Sequence, residues 1–298
     1  MVSRMSGSWR ASAEPAAFPP RPKGGADGAG AADPVAGERS LTRGYAALDL
    51  GTARTRSLGA GGAAIAERPS SVPADARGAS TDGAGSLRPL RHGVVVDQAA
   101  CNRLVRLVLR DIGLSEAWPL ERVLVGVPVA ATSSNRQAVR TAVHAVAGCE
   151  VTLVEEPLAA AVGIGLDVTD STPRLLLDVG AGIVEAVVIN AGAITDARAL
   201  QLSATTKEGV PSYAIDSVVT MTSMLLRDVP AHLRPAVRDT GLAVTGGGAA
   251  QPRLLRRLRT ALRIPVHPAP EPAHATIRGL TRLCRRPSLA DRLAGRGR

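Results

Sequence analysis

Aromatic residues make up only 2% of the 298-residue chain, and lysine is almost missing: Lys23 and Lys207 are the only two among 36 basic residues. So few rings leave no stacking platform for single-stranded nucleic acid. The 45% of hydrophobic residues must therefore build a core from Val, Leu, Ile and Ala. No run of about 18 apolar residues is present to span a bilayer, and the N-terminus lacks the apolar stretch of a secretory signal. Cysteine is scarce as well. Cys101, Cys149 and Cys284 are odd in number and show neither Cys-x-x-Cys spacing nor a surrounding ligand cluster, which excludes a disulfide framework and fits a reduced cytoplasm. The net charge of +10 comes almost wholly from arginine. That balance suits an anionic membrane surface, although abundant Arg with abundant Ala also reflects coding bias. Nucleic acid would rest on charge alone and is not the expected partner.

Residues 1–43 are rich in Ala, Gly, Pro and Ser without helical or strand periodicity and read as a disordered tail. Order is expected from "YAALDLG", a short apolar strand. Arg68 to Gly93 is Gly-, Ser- and Pro-rich and reads as loops with a strand or two. Beyond it, Leu104, Leu107, Val108 and Ile112 recur at helical spacing, "RVLVGVP" is a short buried strand, and "TSSNRQAVRTAVHAVAG" is a helix stopped by Gly148. "VTLV" and "EEPLAAAVGIG" add a strand and a helix, so the order is that of an α/β lobe (44–168). A second lobe (169–285) restarts with the strands "RLLLDVG" and "EAVVIN", paired as a hairpin, then "GAITDARAL" as a third antiparallel strand. Pro211 to Val229 reads as helix, "LAVTGGG" as a strand ending in a glycine turn, and Gln251 to Arg263 as an amphipathic helix. Residues 286–298 read as a basic tail.

Two stretches carry chemistry: "LDLGTARTR" (Leu48 to Arg56) and "LDVGAGIVE" (Leu177 to Glu185). A strand ending in Asp, followed by Gly in a tight turn, places a carboxylate beside free backbone N–H groups. Such N–H groups cradle phosphate oxygens, and the carboxylate is suited to a hydrated Mg²⁺. Either turn alone occurs in many hairpins for conformational reasons. Two of them facing each other would grip a nucleotide's phosphates from both sides. "TGGGA" (Thr245 to Ala249) adds glycines at a strand end, where backbone can approach a flat ligand. It is neither a Walker A motif nor a Rossmann fingerprint.

These motifs resemble the superfamily of actin, chaperone and sugar-kinase ATPases, and within it the MreB-type bacterial actins. "LDLGTARTR" looks like the phosphate-1 loop, "LDVGAGIVE" like phosphate-2 and "LAVTGGGA" like the adenosine motif. "LRPLRHGVVVD", "RVLVGVPVAATSSNRQAVRTA", "VTLVEEPLAAAVGIGLDV" and "DTGLAVTGGGA" run in register with that family over about Tyr45 to Leu280. The resemblance implies an α/β fold of two RNase H-like, actin-type lobes around a nucleotide cleft. It implies ATP and Mg²⁺ as cofactors, with Asp49 and Asp178 on the metal. Asp49, Gly51, Thr52, Glu156, Gly180, Gly182, Gly246, Gly247 and Gly248 would then hold the nucleotide, and Asp178 would also act in catalysis. It further implies a cell-shape role in cell-wall or spore-wall morphogenesis, self-association into filaments, contact with cell-wall synthesis proteins, and a cytoplasmic location at the inner membrane face.

The sequence also departs from that pattern. Ala181 replaces the middle glycine of phosphate-2, and Ile183 and Val184 replace a threonine pair, removing two hydroxyl donors. Asn135 stands where the family has a glutamate that helps activate the attacking water. An amide can orient water but cannot take its proton, so hydrolysis is expected to be weak or absent. After "ALQLS" most of an outer subdomain is missing, and Arg68 to Ser86 also looks trimmed. Two readings follow: an ATP-binding MreB-like cytoskeletal protein, or a nucleotide-free scaffold that does not polymerise.

Overall fold

A computed structural model describes residues 7–8, 44–59, 64–74, 85–113, 120–203 and 210–296. The expected tail 1–43 lies outside the described residues except for Gly7–Ser8, a two-residue strand paired antiparallel with Arg227–Asp228.

Two five-stranded mixed sheets carry the fold. In the first, β1 (Tyr45–Leu50), β2 (Arg54–Gly59) and β3 (Ala66–Pro69) form an antiparallel meander. β4 (Arg122–Val127) and β5 (Glu150–Glu155) add parallel to it, giving the order β5-β4-β1-β2-β3. The second sheet repeats that plan. β6 (Arg174–Val179), β7 (Ile183–Asn190) and β8 (Ala193–Gln201) form the meander. β9 (Leu242–Thr245) and β10 (Val266–Pro268) add parallel beside β6, giving β8-β7-β6-β9-β10. Each Asp-Gly turn therefore joins the first two strands of its own sheet.

Helices cover the outer faces and fill the space between the sheets. α1 (Gln98–Asp111) is capped by Asp97, whose carboxylate accepts the Ala100 N–H, and buries Leu104, Val105 and Val108 on the first sheet. α2 (Ser133–Ala147) joins it there and ends at Gly148, which adopts φ 64°. On the second sheet lie α4 (Ser212–Leu226), the short α5 (Arg234–Thr240) and α6 (Pro252–Leu262), whose Leu254, Leu255, Leu258 and Leu262 form the expected apolar stripe. α3 (Glu156–Gly163) and α7 (Ala275–Cys284) lie between the lobes. Their core takes in Ala47 and Leu124 from the first sheet and Leu176, Val187 and Ile189 from the second.

Three sequence expectations need correction. Residues 286–298 are not simply a basic tail: α8 spans Pro287–Arg296 and buries Ala290 and Leu293 in the interlobe core. α7 falls in the stretch assigned to lobe II, yet it packs on α3, β1 and β4, because Ile277, Leu280 and Leu283 turn one apolar face to them. Between Arg68 and Gly93 there are more strands than the one or two expected. Val72–Pro73 pairs with Ser86–Leu87, and Leu90–Arg91 with Val94–Val95, ladders too short to show any periodicity. The missing outer subdomain is consistent with the chain path: only residues 202–211 separate β8 from α4, of which 204–209 lie outside the described residues.

Candidate functional site

The two Asp-Gly turns meet across a cavity of about 320 Å³, within the range of about 300–1,000 Å³ usual for small-ligand sites. Asp49, Gly51, Thr52, Glu156, Asp178, Gly180, Gly182, Gly246, Gly247 and Gly248 all line it. The turns are held in direct contact: a Cβ on Gly182 would lie 2.5 Å from Thr52 Oγ1. Thr52 Oγ1 in turn accepts the Gly93 N–H at 2.9 Å, and His92 Nδ1–H donates to the Gly182 carbonyl at 2.8 Å. The chain following the β9 strand closes the wall at Gly246, whose φ of 83° and close approach to Asp178 Oδ1 both require glycine. At Gly247, by contrast, a Cβ would meet nothing within 4 Å. The backbone there is open to a ligand.

Charge in the cavity is tightly set. Asp178 accepts a hydrogen bond from Thr245 Oγ1 at 3.1 Å, while burial and the neighbouring Asp49 charge push its carboxyl up to about 6. Glu156 is buried among Asp49, Glu185 and Asp178, and desolvation with their charges moves it well above the ordinary carboxylate range. Its Oε1 is buried without a hydrogen-bond partner and belongs to a residue of the cavity wall. An orphaned buried oxygen of that kind fits a hydroxyl- or amine-bearing ligand, because leaving it unpaired is costly.

Two groups in this region were not anticipated. Arg54 and Arg56 line the cavity because strand residues alternate: Thr55 and Ser57 turn inward, where Ser57 Oγ donates to the Val108 carbonyl of α1, so the arginines share the opposite face. Register then builds a row across three strands, Asp49 opposite Arg56 and Arg56 opposite Glu67. Arg56 Nη1 lies 3.4 Å from Asp49 Oδ2, and its Nε donates to Glu67 Oε2 at 2.8 Å. Arg54 Nε reaches Glu67 Oε1 at 2.8 Å, and His274 Nε2 reaches Glu67 Oε2 at 3.4 Å. Glu185 is the second. Paired opposite Asp178, it accepts the Val129 N–H at 3.2 Å and the Ala130 N–H at 3.1 Å, so a carboxylate of the second sheet pins a loop of the first lobe. Burial nevertheless pushes its carboxyl up to about 7. The sequence signal for Glu185 was an acid inside an otherwise apolar strand.

Asn135, expected to orient water, is not part of the cavity wall. Its Oδ1 accepts the Thr132 N–H at 3.0 Å and the Thr132 hydroxyl at 2.7 Å, while its own N–H donates to Thr132 Oγ1 at 3.2 Å. This is a capping box at the start of α2. Asn135→Ala should accordingly cost about 1 kcal/mol of stability and leave ligand affinity unchanged, which paired urea melts and titrations would show. Glu155 does not cap α3 with its side chain; it pairs with Arg136 at 2.9 Å.

The expected Mg²⁺ fits this donor set poorly. Among the described residues no group of three or more His, Cys, Asp or Glu side chains could hold a metal ion, so a hydrated Mg²⁺ would rest on two carboxylates alone. Of its two expected ligands, Asp49 is paired with Arg56 and Asp178 with Thr245.

A family model described as MreB/Mbl protein matches residues 43–209 and 203–291, most of the chain. The chain belongs to the MreB/Mbl family. The cell shape-determining protein MreB of Escherichia coli (strain K12) is 25% identical over 314 residues, covering 78% of this chain and 90% of the relative. An alignment that long over 78% of a 298-residue chain requires the relative to carry stretches this MreB/Mbl chain lacks. The cell shape-determining protein Mbl of Bacillus subtilis (strain 168) is 24% identical over 171 residues, covering 52% of this chain and 51% of the relative. Among solved structures, MreB5 of Spiroplasma citri bound to ADP superposes with a TM-score of 0.70 at 18% identity, over 82% of this chain and 96% of its own. A MamK double helical filament gives 0.57 at 16% identity, over 80% and 98%. Such likenesses establish the actin-type fold of two lobes. Among the described residues no helix is long and apolar enough to cross a membrane.

Proposed function

We propose that this MreB/Mbl chain binds ATP in the interlobe cavity and acts as a cell-shape-determining cytoskeletal protein with weak or no hydrolysis. The reading is carried by one observation: the nine residues expected to hold nucleotide converge on one cavity together with Asp178, with open backbone at Gly247 and an orphaned oxygen on Glu156. The solved MreB5 of Spiroplasma citri, bound to ADP in one structure and AMPPNP in another, supports it by fold. Weak turnover follows from Ile183 and Val184, which bring no hydroxyl to the phosphate-2 turn, and from Asn135, whose amide caps α2. Its setting is the inner face of the cell membrane, in cell-wall or spore-wall morphogenesis, through self-association and contact with wall-synthesis proteins. The filament of MamK supports self-association.

The test is calorimetric titration of ATP into the wild type and Gly247→Leu. A leucine at 247 projects into open space, so it should plug the cavity without disturbing the protein. Affinity is expected to fall at least about tenfold, the equivalent of about 1.4 kcal/mol. Absence of saturable binding by the wild type at millimolar ATP would leave the non-polymerising scaffold as the better reading.

A further inference from the structure

We propose that the guanidinium of Arg56, with Arg54 beside it, takes the place of a divalent cation in the cleft, so that nucleotide phosphate is bound as the free anion rather than as its metal complex. The inference rests on the nucleotide reading above and goes beyond it in the identity of the ligand species. It begins with register. Asp49 is the acid that a metal-dependent cleft would turn toward a hydrated ion, and the antiparallel pairing of β1 with β2 sets Arg56 directly opposite it. Both side chains are nearly buried, at 13% and 9% exposure, and lie 3.4 Å apart. A dication approaching Asp49 would have to displace this guanidinium or remain beside it, and poorly solvated like charges repel strongly.

The same arginine is well formed for phosphate. A guanidinium carries five N–H donors in a rigid fork that matches phosphate oxygens, and it stays charged at any physiological pH. Arg56 engages Glu67 through Nε and Asp49 through Nη1, which leaves Nη2 without a hydrogen bond among the described residues. Glu67 fixes the stem of Arg56 and pairs with Arg54 as well, so both cations are held on the cavity wall before any ligand arrives. The two Asp-Gly turns line the same cavity as both arginines, so backbone N–H groups and guanidinium donors are available to one anion bound there. The carboxylates of the cavity oppose an anion less than their number suggests, because burial favours the neutral form of Glu156.

The experiment is titration of ATP into the wild type, Arg56→Leu and Arg56→Lys, each in excess Mg²⁺ and in excess EDTA, with folding checked by circular dichroism. Wild-type affinity in EDTA is expected within about threefold of that in Mg²⁺. Arg56→Leu should lose at least about tenfold in EDTA and regain part of it with Mg²⁺, while Arg56→Lys, which keeps a point charge, should stay closer to the wild type. Wild-type binding that requires Mg²⁺, or an Arg56→Leu affinity unchanged in EDTA, would overturn the inference and leave the nucleotide reading standing. Absence of wild-type binding in both conditions would remove both. If Arg56→Leu does not fold, the wild-type pair and Arg56→Lys still decide.

Discussion

Gly279→Val should unfold the protein. α3 and α7 cross so closely that a Cβ on Gly279 would overlap the carbonyl oxygen of Ala159, and one on Gly163 would overlap that of Ala275. The obstacles are helix backbone, so neither side can yield by changing a rotamer. The crossing is also the centre of the molecule: Leu158 on one helix and Ile277, Leu280 and Leu283 on the other share a core with strands of both sheets. Separating the helices would lift apolar side chains off two sheets at once. Overpacking of a core costs about 1–3 kcal/mol where neighbours can adjust, and a backbone overlap exceeds that range, against a total stability of about 5–15 kcal/mol. Valine at 279 is expected to give insoluble protein or a loss of cooperative thermal unfolding, with Gly163→Val behaving alike. Gly295→Ala is the control, since a Cβ there meets nothing within 4 Å in helix α8. It should be neutral or stabilise by up to about 1 kcal/mol. A Gly279→Val protein melting near the wild-type temperature would mean that the helices do not cross as described.

That crossing marks where the sequence stopped being legible. Asp49 and Asp178 could be read because each ends an apolar run and is followed by glycine, a local pattern that needs no knowledge of the partner strand. The amphipathic helices α1, α2 and α6 were legible for the same reason. Arg56 was not, since its meaning depends on a cross-strand register that places it opposite Asp49. Glu185 was hidden similarly: β7 is buried on both faces, so periodicity says nothing about which side chain reaches the cleft. α7 and α8 were obscured by composition. Arginines at 278, 282, 285, 286 and 292 crowd the stretch, although Ile277, Leu280, Leu283, Ala290 and Leu293 repeat at helical spacing beneath them. Asn135 shows the opposite failure. Its alignment with a catalytic position suggested a role, whereas Thr-Ser-Ser-Asn ahead of a helix is itself a capping signature.

Stability should fall as pH rises from about 5 to about 7. Glu185 and Asp178 have folded-state pKa values raised to about 7 and about 6 from ordinary values of 4.5 and 3.8, and Glu156 is raised as well. A carboxyl raised on folding binds its proton more tightly in the native state. Between the unfolded and folded pKa values the native protein therefore holds more protons than the unfolded chain, and stability declines with pH. The contribution is complete below the unfolded pKa and is lost as pH passes the folded one. For Glu185 alone the linkage is on the order of 3 kcal/mol. For a chain of this size that corresponds to a melting midpoint roughly 5–10 °C higher at pH 5 than at pH 8 without ligand. Further acidification reverses the trend. Glu67 is partly buried, but Arg56 and Arg54 hold it below the ordinary range, so its stabilising pairs persist above that range and are lost only as pH falls through its lowered pKa. Glu185→Gln is the decisive variant. At pH 5, where Glu185 itself is protonated, the neutral amide should leave stability close to that of the wild type, and because it cannot titrate its slope between pH 5 and 8 should be distinctly shallower. A wild-type midpoint that rises over this interval would show that the two backbone hydrogen bonds outweigh desolvation and keep Glu185 ionised, making it a permanent negative charge facing the first lobe.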